Sequence, residues 1–303
     1  MRLPTAAAAA AALFFTLLAA PLARAADAKF ILPDAPKIAF IGNTFVERDW
    51  QHGYLETRLI LAHPDKDIVF RNLGWSGDTV RGESRAGFGQ PADGFRHLEK
   101  YVTDLKPNVI LLNYGLSESY AGPAGLESFE ADLTKLVEML SKEGAAIFVL
   151  GIMKQEKLPP PLPDPAAQNE NIKMYNGALL KVATKRHLNF VDTFDIPDLY
   201  AQARPGQTFT YNEIHPRPDA YAFAAEQIAR RLGLPDVKWD DKAEQVRKLT
   251  IEKNQLYFHR WRPQNETYIF GFRKGEQGRN AVEIPRFDPL IAEKEAEINK
   301  LKK

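Results

Sequence analysis

Lys37-Ile-Ala-Phe-Ile-Gly-Asn-Thr-Phe45 is the stretch that decides the fold. Ile38 to Ile41 is a short apolar run ended by a glycine, the pattern of a strand buried on both faces of a parallel sheet. Gly42 permits a tight turn at the strand's carboxyl end. In open α/β sheets ligands bind outside the carboxyl ends of the strands. Asn43 and Thr44 are therefore expected at the mouth of a site, with the Thr44 hydroxyl where a nucleophile would stand. Taken alone, the same turn reads equally as a polar start to a helix, capped by Thr44.

Outward from this run, strand-like and helical patterns alternate. Trp50 to Ala62 predicts a helix, with Tyr54, Leu55, Leu59 and Ile60 at helical spacing. Asp67 to Leu73 predicts a second strand. Pro91 opens a helix that runs to Leu105 and is closed by Pro107. Asn108 to Tyr114 is the third strand. Leu126 to Lys142 carries an apolar face of Leu126, Phe129, Leu133, Leu136, Val137 and Leu140, with Gly144 as its C-cap. Ala145 to Gly151 is the fourth strand, and the proline-rich run Leu158 to Pro165 is a loop. A helix over Asn171 to Arg186, a strand over Leu188 to Val191 and a helix over Pro216 to Leu232 complete the pattern. Five β-α repeats with short connections imply an α/β fold, a parallel, right-handed three-layer sandwich.

The ends differ from the middle. Residues 1–26 combine Arg2, an apolar stretch around Leu13 to Leu18 and Ala23-Arg-Ala25, the organisation of a signal peptide with an A-x-A cleavage site. Export to the periplasm or outside the cell is expected, with no stable membrane span after cleavage. Residues 27–235 form the main domain. Residues 236–303 read as a C-terminal extension: a charged helix over Lys238 to Leu256, an aromatic and arginine stretch over Tyr257 to Arg273, and a charged helix over Leu290 to Leu301 with Ile291 and Ile298 on one side. That segment has too little apolar content to fold alone and is expected to pack on the domain.

Composition narrows the chemistry. The 303 residues carry 40 Lys and Arg against 39 Asp and Glu, a net charge of +1, with both signs scattered. No nucleic-acid surface is indicated. There is no cysteine, so disulfides, thiolate nucleophiles and thiolate metal sites are excluded. His52, His63, His97, His187 and His259 show no paired ligand spacing, and neither metal nor cofactor is expected.

Four stretches fall at carboxyl ends of strands: Gly42-Asn-Thr44, Asn72-Leu-Gly-Trp-Ser-Gly-Asp-Thr79, Asn113-Tyr-Gly-Leu-Ser-Glu118 and Asn212-Glu-Ile-His-Pro216. In this order they resemble the SGNH, or GDSL-like, hydrolase superfamily over about Lys37 to Leu232. The resemblance implies a flavodoxin-like sheet of about five strands and acyl transfer by a serine nucleophile. A histidine acts as base, and an aspartate three residues before it orients the imidazole. The oxyanion is held by the nucleophile's N–H, a glycine N–H and an asparagine side chain. Carried over, the positions are Thr44 for the nucleophile, His215 for the base, Asn212 for the orienter, and Gly77 and Ser117 for the oxyanion donors. Asn43, Trp75 and Glu118 are expected to contact substrate.

Each departure has a chemical meaning. The Thr44 methyl restricts χ1 and crowds an incoming carbonyl. Ser117 donates from a shorter side chain, where loss of one such donor costs about 100- to 1000-fold. Asn212 brings no negative charge to an imidazolium, and Asp195, Glu118 and Glu213 are the carboxylates that stand as substitutes. Gly74-Trp-Ser-Gly-Asp78 nearly spells a nucleophile elbow, but Asp78 stands where its last glycine belongs, so Ser76 is taken as structural and Asp78 as pinning its own loop. Trp261 and Tyr268 suit packing, or stacking on a sugar face. The expected ligand is a small-molecule or carbohydrate ester, and the oligomeric state is open. Two functions remain: an exported esterase with a Thr/His centre, or an eroded protein that keeps the pocket and binds.

Overall fold

The computed structural model describes residues 30–276 and 279–303. The expected leader, residues 1–26, lies outside them. In chain order the elements are β1 (Lys37–Gly42), α1 (Thr44–Asp49), α2 (Tyr54–Ala62), β2 (Val69–Asn72), α3 (Pro91–Leu105), β3 (Val109–Asn113), α4 (Leu116–Ser119), α5 (Gly122–Leu140), β4 (Ala146–Leu150), α6 (Ala166–Lys185), β5 (Asn189–Val191), α7 (Ile196–Ala203), α8 (Pro218–Arg231), α9 (Asp241–Trp261), α10 (Glu266–Ile269), a 3-10 helix (Asn280–Arg286) and α11 (Phe287–Leu301). The strands pair in parallel in the order β2-β1-β3-β4-β5.

The central strands are apolar throughout because both of their faces are covered. Ile38, Phe40, Val109 and Leu111 turn to one face and pack with α2, α7 and α8. Ala39, Ile41, Ile110 and Leu112 turn to the other and pack with α3, α5 and α6. The chain leaves β1 toward β2 across one face and returns to β3 across the other. The order therefore reverses between β1 and β3, and the crevice beyond their carboxyl ends is where such sheets bind ligands.

The region after β1 departs from expectation. A helix starts at once with Thr44 and ends at Asp49. The next begins at Tyr54, after Gly53 in the left-handed region at φ +65°. A β-carbon on Gly53 would also stand 3.2 Å from Ile251 of α9. The single helix read from Trp50 is thus two, and the first places Thr44 on its opening turn. Helices α4 and α7 went unread, being too short to show a period.

Helix α9 starts later and runs further than expected, because Asp240 caps it by accepting the Ala243 N–H at 3.1 Å. It lies on α2, pairs with α11 and crosses the open edge of β2. There Lys253, 1% exposed, reaches Glu56 at 2.5 Å and the Phe70 carbonyl at 3.1 Å. Asn254 donates to the other Glu56 oxygen at 2.8 Å. Burial pushes Glu56 up and Lys253 down, toward their neutral forms, and their contact opposes it. Arg71 of β2 is held by Glu295 of α11 at 2.5 Å. The end of α9 then passes to the second face, where the Trp261 carbonyl accepts the Tyr101 hydroxyl at 2.6 Å. The edge strand is covered by this wrap. No helix among the described residues is long and apolar enough to cross a membrane.

Candidate active site

At the end of β1 the backbones crowd together. A β-carbon on Gly42 would lie 2.3 Å from the Asn113 carbonyl oxygen and 2.5 Å from Val46 Cγ2. One on Gly74 would lie 2.3 Å from the Glu47 nitrogen. Only glycine lets β3, α1 and the loop after β2 meet here.

That loop is fixed at many points. Asn72 accepts from the Gly74 N–H at 2.9 Å and donates to the Val46 carbonyl at 2.6 Å. Glu47 accepts from the Ser76 N–H and from Arg262. Asp78 and Arg85, both fully buried, pair at 3.1 Å, and the Tyr114 hydroxyl donates to Asp78 at 3.0 Å. Glu118 accepts from the Val80 N–H at 2.8 Å and the Gly115 N–H at 3.1 Å. Burial raises the Glu118 carboxyl to about 7. The result is that the Gly77 N–H, at φ +71°, donates to Thr44 Oγ1 at 2.9 Å.

Trp75 is roofed over. Arg262 lies 3.7 Å above its ring, and Trp261 and His97 meet its edges. Trp75 is a packing residue that supports the loop, not an open contact surface. Trp261 is 2% exposed and so offers no sugar platform, and Tyr268 lies under Arg273. Ser117 is half-buried in the short helix α4.

The base side is built differently. Helix α8 is tied to α1 through Tyr221, whose hydroxyl donates to the Phe45 carbonyl at 3.2 Å and whose ring stacks on Phe45 and His52. This holds the 209–216 loop beside Thr44. Asn212 does not orient the imidazole: its Oδ1 accepts the His215 backbone N–H at 3.1 Å. Asp195 pairs with Arg231 at 2.7 Å, and Glu118 is spent on Val80 and Gly115. Glu213 is buried elsewhere in the loop. The His215 imidazole is pushed below its usual 6.5 by burial and then by the Arg48 guanidinium. The charge that acts on the base is therefore a cation. Thr44 and Arg48 are one turn apart on α1 and share a face. Sequence reading missed Arg48, Glu47 and Arg262; the i, i+4 spacing of Thr44 and Arg48 was the only available signal.

A narrow pocket opens between the ends of β1, β3 and β4 and the 209–216 loop. Asn43, Asn113, Gln155 and Glu213 supply its polar wall, and Phe45, Leu116, Ile152 and Phe209 are among its apolar ones. A wider groove, lined by Val80, Phe95, Asp132 and Met139 between α3 and α5, contains neither Thr44 nor His215. Among the described residues no group of three or more His, Cys, Asp or Glu is arranged to hold a metal.

The model of the GDSL-like lipase/acylhydrolase family matches residues 40–223. No curated protein sequence matches the chain significantly. Among solved structures, a gut microbial diltiazem-metabolizing enzyme is 12% identical, with a TM-score of 0.66 over 91% of this chain and 97% of its own. That share exceeds residues 1–235, so the likeness runs into the C-terminal segment. An acetylxylan esterase from Geobacillus stearothermophilus is 18% identical, with a TM-score of 0.54 over 69% of this chain and 99% of its own. An alpha/beta hydrolase enzyme from the metagenome of Lake Arreo, Spain, is 20% identical, with a TM-score of 0.53 over 67% and 98%. These likenesses establish a shared fold.

Proposed function

The chain belongs to the GDSL-like lipase/acylhydrolase family, and from that footing we propose that it hydrolyses acyl or acetyl esters, carbohydrate-linked ones included, through Thr44 and His215. The observation that carries the reading is the Gly77 N–H directed at Thr44 Oγ1. Thr44 Oγ1 attacks the ester carbonyl while His215 takes its proton. The oxyanion is met by the N–H groups of Thr44 and Gly77 and by the Ser117 hydroxyl. The intermediate collapses, His215 returns the proton to the leaving alcohol, and an acyl-Thr44 ester remains. Water, deprotonated by His215, then releases the acid and restores Thr44. A lowered imidazole pKa keeps His215 unprotonated at neutral pH. The absence of a facing carboxylate leaves the imidazolium unsupported, which slows every step that forms it. We further propose export after cleavage near Ala25, so that the mature chain begins at Ala26 or Asp27 on N-terminal sequencing.

Asn212's commitment to backbone favours a second reading, an eroded member that binds a ligand without turnover. One series separates the two. Hydrolysis of small acyl esters is measured for the parent, Thr44→Ala, Thr44→Ser and Thr44→Ser/Asn212→Asp. The esterase reading expects Thr44→Ala to be inactive, Thr44→Ser faster than the parent and the double variant faster still. Activity that survives Thr44→Ala would remove Thr44 as nucleophile. An inert parent with an active double variant would show a sound scaffold around an eroded centre.

A further inference from the structure

Two buried oxygen acceptors in the narrow pocket have no partner. Glu213 is 6% exposed, and its Oε1 accepts no hydrogen bond. Asn43 is 2% exposed, and its Oδ1 is equally unpaired. Buried polar atoms are nearly always bonded, so two orphans on one wall need an explanation. Glu213 also holds φ at +70°, a region in which side chains are strained. Its N–H is tied to Thr210 Oγ1 at 3.0 Å, and Thr210 is itself fixed by Glu156 at 2.8 Å. The loop thus spends energy to hold a carboxylate in the pocket, and backbone strain kept in this way clusters at functional sites.

The two residues flank the reacting ones in sequence. Asn43 immediately precedes Thr44, and Glu213 stands two before His215. What fills the space between them has to donate hydrogen bonds. The pocket has room for about two water-sized groups. Lys154 lines the same wall and Arg48 acts on His215, so positive charge on both sides opposes an ammonium group. A neutral hydroxyl satisfies both acceptors at no such cost.

We propose that Glu213 and Asn43 form a hydroxyl-accepting subsite that seats a free hydroxyl of the substrate's alcohol portion beside the ester. The name of the substrate, a partial ester of a polyol, rests on the esterase reading; the subsite does not. A buried hydroxyl bonded to a carboxylate discriminates strongly against analogues that lack it, because the acceptor is then left unpaired.

The test compares glycerol monoacetate with ethyl acetate as substrates, and methyl β-xyloside with its permethylated form as ligands that raise the melting temperature. Parent, Glu213→Gln and Glu213→Gly are used. Glycine adopts the positive φ freely, so Glu213→Gly folds and melts a few degrees higher. The expected result is a preference of at least about tenfold in kcat/KM for glycerol monoacetate in the parent, reduced in Glu213→Gln and lost in Glu213→Gly. Equal hydrolysis of both esters by all three proteins overturns the subsite and leaves the esterase reading standing. A parent inert to both esters, yet protected by methyl β-xyloside and not by the permethylated sugar, with the protection lost in Glu213→Gly, keeps the subsite and removes the esterase reading. Inertness without protection removes both and leaves a pocket filled by water.

Discussion

The two halves of the site are built on opposite plans. Around Gly77 every polar group has a partner, and those partners come from α1, α4, the loop after β2 and the C-terminal segment. Around His215 the polar groups are tied to their own loop or left unpaired. The difference separates two tasks. An oxyanion donor acts by standing still before charge develops, so it gains from cross-links that cost no reorganisation during reaction. A base and a substrate subsite have to change partners, and unpaired groups there are completed by ligand.

The largest test of this contrast removes the looser half's one reacting group. His215→Ala is expected to cut ester hydrolysis by about 10³-fold or more, with the melting temperature nearly unchanged, since few contacts hold the ring. A rate within tenfold of the parent would show that the base half takes no part.

Next in size is the pair that anchors the extension. Glu56→Ala leaves Lys253 charged and buried without a partner, and breaking such a pair costs about 3–5 kcal/mol. Chemical denaturation is the measurement, and a loss below 1 kcal/mol, on the same scale, would show that α9 is not anchored there.

A smaller effect falls on the rigid half. Arg262→Ala deletes the roof over Trp75 and one partner of Glu47. Loosening the Ser76-Gly77 turn is expected to lower kcat about tenfold with KM little changed, because a donor aimed at the transition state is blurred. Unchanged kcat would mean that the other ties suffice.

The smallest change is in pH dependence. His215 works as the neutral base, so activity falls as pH drops through its pKa. Burial and Arg48 hold that pKa below the usual 6.5. Arg48→Gln removes a cation, raises the imidazole pKa and moves the acid limb of the kcat/KM profile to higher pH. A limb that stays put, or moves down, would show that Arg48 does not act on His215.

How much of this was legible in the sequence depends on the range of the interaction. The apolar run of β1 and the amphipathic helix α5 are local patterns, and each is found where its period predicts it. The two-helix break at Gly53 was hidden because Tyr54, Leu55, Leu59 and Ile60 keep one helical spacing on their own, and nothing upstream announces α1. Asn212 was placed correctly at the site's edge. Its partner was misjudged because an asparagine oxygen reaches a neighbouring backbone N–H as readily as an imidazole.

By itself, the sequence determined the sheet, the order of its strands along the chain and the four stretches at their carboxyl ends, because buried parallel strands and glycine turns leave local marks. Tertiary structure alone decided that Arg262, over two hundred residues from Trp75 in sequence at most by a wrapped helix, would roof the oxyanion loop, and that Glu213 would stand unpaired beside Asn43. Those outcomes depend on which buried charges find partners across the fold, and burial and partnership are properties of the assembled chain rather than of any one segment.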